Sequence, residues 1–119
     1  MERPHAQAFQ NLPVLPSVPG STTSSSNTAL TVTITPGAGR RVVLYLAEAY
    51  TSAGVCTFSV ESPSGTVVYQ GAASGIGTTA FVLEPLTPWV FNLGVAVLLK
   101  NTAAGVGNTS TINRHYSLI

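Results

Sequence analysis

A chain of 119 residues with a formal net charge of +1 and 8% charged side chains is long enough to bury the core of one domain and too short for two. It contains no aspartate, and Glu2, Glu48, Glu61, Glu84, His5 and His115 are sparse material for acid–base or metal chemistry, so neither enzymatic activity nor a cofactor is expected. Arg3, Arg40, Arg41, Lys100 and Arg114 are too few and too scattered to neutralise a run of phosphates, which argues against direct contact with nucleic acid.

Residues 1–28 hold Pro4, Pro13, Pro16 and Pro19, followed by the polar tract from Gly20 to Asn27. No apolar period runs through them, and the expectation is an extended Pro/Ser-rich N-terminal arm that packs as no regular element. Phe9, Leu12, Val14, Leu15 and Val18 are interleaved with the prolines and are the candidate partner-binding residues of that arm. A proline-restricted backbone loses less entropy when it is laid along a neighbouring subunit.

From Ala29 the pattern changes to a period of two, and residues 29–119 read as an all-β domain, an antiparallel β-sandwich. Leu30, Val32 and Ile34 alternate with threonines, and Pro36-Gly37-Ala38-Gly39 turns the chain. Arg41 to Tyr50 is apolar on both faces, with Val42, Leu44 and Leu46 on one and Val43, Tyr45 and Ala47 on the other. It is expected to run centrally, with one face toward the core and one toward a partner or the arm. Val55 to Glu61 alternates, Pro63-Ser64-Gly65 predicts a hairpin turn, and Thr66 to Gln70 returns. A glycine-rich loop over residues 71–77 leads into a strand over 78–83. Pro85 and Pro88 mark a corner, Trp89 to Leu99 reads as one buried strand, and Thr109 to Ile119 ends the chain as another. Turns at this spacing fit a jelly roll or an immunoglobulin-like sandwich, and the absence of a Cys…Trp…Cys framework favours the jelly roll.

The motifs that carry chemistry are missing or incomplete. Cys56 stands alone in an alternating segment and reads as a small buried hydrophobe. The glycine-rich loop lacks the Lys-Ser/Thr pair of a phosphate cradle, and no Gly-x-Ser-x-Gly elbow positions a nucleophile. His115 reads as a polar residue at a strand end, and Asn108-Thr109-Ser110 as an accidental sequon. The opening Met1-Glu2-Arg3-Pro4-His5 has mixed charge, no apolar run of secretory length follows it, and the stretch from Trp89 to Leu99 is too short for a membrane helix. Synthesis in the cytoplasm with no membrane partner is therefore expected. The aromatics Tyr45, Phe58, Tyr69, Phe81, Trp89 and Phe91 fall at core-compatible positions.

So little charge on an exterior predicts that other protein chains cover much of it. The segments Gly39-Arg40-Arg41-Val42-Val43-Leu44, Ser62-Pro63-Ser64-Gly65-Thr66-Val67-Val68-Tyr69 and Trp89-Val90-Phe91-Asn92-Leu93-Gly94 give the region from 29 to 119 a style that resembles the small jelly-roll virion proteins of tailed bacteriophages, including capsid decoration (cement) proteins. The resemblance implies a non-enzymatic homotrimer on the capsid surface. It would sit at three-fold positions and bridge neighbouring copies of the major capsid protein against internal DNA pressure, with residues 1–28 as a clamp. Two alternatives stand beside it. One is another virion component of tail, fibre or head–tail connector. The other is a carbohydrate-binding or adhesin module that uses Trp89 or Tyr69 in a groove.

Overall fold

The computed structural model describes residues 18–75 and 88–119. Eight strands occupy them: β1 (Val18–Thr23), β2 (Leu30–Ile34), β3 (Val42–Thr51), β4 (Cys56–Glu61), β5 (Val67–Ala73), β6 (Trp89–Val90), β7 (Val97–Asn101) and β8 (Ser110–Leu118). They form two antiparallel four-stranded sheets, ordered β1-β8-β3-β6 and β2-β7-β4-β5. No helix occurs among the described residues, and the chain is an all-β sandwich as its periodicity predicts. The strand expected over 78–83 lies outside the described residues, as do Phe9, Leu12, Val14 and Leu15.

Alternation builds the core. Cys56, Phe58 and Val60 of β4, Val97 and Leu99 of β7, and Ile112 of β8 turn inward, joined by Ile34 and Ala73, and each is almost fully buried. Each large member contributes roughly 1.5–3 kcal/mol by leaving water. The predicted hairpin is present, with β4 and β5 paired from Cys56↔Ala73 to Glu61↔Val67. Its turn is closed by bonds from Thr66 N–H to the Pro63 carbonyl (2.9 Å) and from Ser62 N–H to the Thr66 carbonyl (2.9 Å), around a cis Ser62–Pro63 peptide.

Three expectations need correction. First, residues 18–23 are not part of an irregular arm: they form β1, paired with β8 from Val18↔Tyr116 to Thr23↔Thr111. Pro19 is tolerated because β1 lies at the end of its sheet's strand order, where a missing N–H costs little. Val18, expected to dock on a neighbour, is thus a strand residue of the sandwich. Second, the segment from Trp89 to Leu99 is two strands in different sheets. A turn closed by Val95 N–H on the Asn92 carbonyl (3.2 Å) separates them, and Gly94 supplies its positive φ of 75°. Third, β3 does not keep one parity. Its register with β8 shifts between Leu44 and Leu46, so Val42 and Leu44 before the bulge and Ala47 and Ala49 after it all join the core. Leu46, predicted to share the Val42 face, is turned to the opposite one. Val43 and Tyr45 are also buried, outside the core cluster, so the first half of β3 is covered on both faces.

Candidate interaction surfaces

The bulge in β3 and the pairing of β1 together define the outer face of the first sheet. Ala47, Ala49 and Ile112 point to the core, so the residues between them point away. Register then lines up three rows across β1, β8 and β3: Thr23, Thr111 and Tyr50; Ser21, Asn113 and Glu48; Pro19, His115 and Leu46. The lower two rows line an open groove of about 440 Å³. Within it Asn113 Nδ2 donates to Glu48 Oε1 at 2.9 Å. In the upper row the hydroxyls of Thr23 and Thr111 are 2.9 Å apart. On the inner side of the same strands, Arg114 lies over Gly20, and its Nη1 donates to Thr22 Oγ1 at 2.6 Å.

The second sheet has a groove of about 450 Å³ on its own outer face, with Thr31, Ser59, Glu61, Gln70 and Lys100 in its lining. Lys100 Nζ lies 3.1 Å from Glu61 Oε1, and Gly65 N–H donates to the same carboxylate at 2.9 Å. The Gly65 amide, then Lys100, holds the Glu61 carboxyl below its ordinary value. This carboxylate braces the β4–β5 hairpin.

A third surface is the end of the sandwich where the β1–β2, β3–β4 and β7–β8 loops meet. They are tied together by Asn27 N–H to the Asn108 carbonyl (2.9 Å) and Ser52 N–H to the Thr109 carbonyl (2.9 Å), and by Gly107 N–H to Ser26 Oγ (2.8 Å). Val106, between Gly105 and Gly107 at φ of 106° and 80°, is 87% exposed, and Val55 is 63% exposed. Residues 24–29, 52–55 and 102–109 contain no charged side chain. The loops therefore hold two apolar tips on a braced, neutral platform.

Glu2, His5 and Glu84, weighed earlier for chemistry, lie outside the described residues. Among the described residues, no group of three or more His, Cys, Asp and Glu comes together. Cys56 is buried and unpaired, and burial pushes its thiol pKa up. Tyr69 packs against Phe58 with ring centroids 6.3 Å apart. Trp89 meets Phe91 edge-on at 5.9 Å. Phe58 belongs to the core, and Tyr69, Trp89 and Phe91 are partly buried against it. Sequence reasoning missed Ser21 and Tyr50 as neighbours of Glu48. The spacing of Glu48 and Tyr50, and of Asn113 and His115, is visible as period two, but the β3 bulge that turns Glu48 and Tyr50 outward is not.

No helix among the described residues is long and apolar enough to cross a membrane. Comparison with family models, with curated proteins and with solved structures finds no match. The functional reading therefore rests on the geometry of the chain itself.

Proposed function

We propose that this protein is a non-enzymatic structural component of a virion, a homotrimeric capsid cement that joins neighbouring major capsid proteins, and that its sandwich is a jelly roll. The strand order carries the reading. With β1-β8-β3-β6 facing β2-β7-β4-β5, the connections that run wholly through described residues all cross between sheets except the β4–β5 hairpin, which fits a chain folded as a doubled-back ribbon. Eight strands in two such sheets are the jelly-roll plan used by viral capsid domains and by lectins.

The charge-poor exterior and the tips at Val55 and Val106 favour association over solubility as a free monomer. Phe9, Leu12, Val14 and Leu15 precede β1, which begins opposite Tyr116 near the end of β8. We assign to them the contact with a neighbouring subunit or the capsid protein. The test uses the full chain and a Phe9→Ser, Leu12→Ser, Leu15→Ser variant, each measured by light scattering and by co-sedimentation with tailed-phage heads. A trimer that co-sediments, with co-sedimentation lost in the variant, is the expected result. A wild-type monomer indifferent to heads overturns the reading.

A further inference from the structure

We propose that the groove across β1, β8 and β3 binds a neutral saccharide, with Glu48 and Asn113 gripping hydroxyls. The inference is separate from the assembly reading, because it concerns what one subunit holds on its outer sheet.

The volume of about 440 Å³ lies within the range of small-ligand sites, roughly 300–1,000 Å³. Its chemistry selects the ligand. Asn113 Nδ2 uses only one of the Glu48 lone pairs, and a carboxylate accepts about four hydrogen bonds while an amide oxygen accepts two. A carboxylate beside an amide therefore presents an acceptor pair and a donor at neighbouring points. Vicinal hydroxyls of a sugar, each both donor and acceptor, complement that arrangement. Ser21 adds a hydroxyl from β1 on the same row.

Other occupants fit less well. A second protein chain laid flat here would strip water from Glu48 with no Lys or Arg facing it in the groove lining. An anionic sugar would meet that same carboxylate, since Arg114 is turned to the inner side against Gly20 and Thr22. A neutral polyol avoids both costs.

The experiment titrates the full chain with maltose, lactose, cellobiose, methyl mannoside and N,N′-diacetylchitobiose, followed by saturation-transfer NMR and calorimetry. At least one should bind. Lys100→Ala, on the opposite sheet, should leave binding unchanged. Glu48→Gln should weaken it by at least about tenfold, the loss expected for a charge-assisted hydrogen bond. Ser21→Trp, which fills the groove, should abolish it while circular dichroism and light-scattering mass stay as in the wild type. If Ser21→Trp does not fold, the near-isosteric Glu48→Gln decides alone. The proposal is overturned if none of the five sugars binds, or if a folded Ser21→Trp or Glu48→Gln binds like the wild type.

Discussion

Gly54 and Ala104 hold two loops together at contact distance: a Cβ built on Gly54 would stand 2.5 Å from the Ala104 carbonyl oxygen. Gly54 also has a φ of 76°, and its carbonyl accepts from Thr51 Oγ1 at 2.9 Å. Gly54→Ala therefore meets two obstacles, a left-handed backbone costing roughly 1–2 kcal/mol and a backbone clash that requires the loops to part. We expect a loss of about 2–4 kcal/mol in urea unfolding. Gly37→Ala, at a φ of 82° with open space around it, isolates the conformational part and should cost about 1 kcal/mol.

If β1 belongs to the sandwich, its backbone must matter. Ser24 N–H bonds the Ser110 carbonyl at 2.8 Å, so ladder parity makes Thr22 a hydrogen-bonded partner of Ile112. Thr22→Pro removes that donor and the Arg114 contact, and should cost about 3 kcal/mol or more in thermal unfolding. A free arm would tolerate the change with no shift.

Glu61 carries an acid-sensitive part of the stability. Its folded pKa lies below the ordinary 4.5, so the folded state favours the ionised form. That contribution is fully present above the unfolded value and is lost as pH falls through the folded one. Urea unfolding of the wild type should weaken as pH drops from 6 to 3. Glu61→Gln should flatten that slope, the difference lying below about pH 4.5.

The Cys56 thiol, buried and with its pKa raised, should resist alkylation. Iodoacetamide at pH 8 should leave the native protein unlabelled and modify it fully after denaturation, as mass spectrometry would show. Rapid native labelling would mean that β4 opens or that the thiol is presented on the surface. Cys56→Ser, which puts a hydroxyl into the core, should cost about 1–3 kcal/mol.

Val106 is exposed enough that its side chain adds little to folding. Val106→Lys should shift the melting temperature by no more than about 2 °C, in keeping with changes within about 0.5 kcal/mol at such sites. It should reduce the light-scattering mass if the neutral loop platform is an assembly contact. Unchanged mass for an oligomeric wild type would remove that end from the interface.

The inward and outward sides of β2 and β4, the β4–β5 hairpin and the burial of Cys56 are legible in the sequence, because each depends on residues a few positions apart. The division of Trp89 to Leu99 is not. Asn92 and Gly94 lie inside an otherwise apolar run, and only the presence of two sheets makes them a crossing between sheets.

By itself, the chain's alternation and turn chemistry determined an all-β sandwich with little catalytic material, since strand periodicity and glycine or proline geometry act locally. Tertiary structure decided the rest. β1 looks like loop because Pro19, Gly20 and the small polar residues after them carry no apolar period, and only the fold lays the Arg114 guanidinium over Gly20, its Nε 2.7 Å from where a Cβ would stand. The row that places Ser21 beside Asn113 and Glu48 likewise exists only once residues more than 60 positions apart are paired, with a bulge shifting one strand against the others. Contacts of that range depend on the closure of the whole sandwich, and no local pattern records them.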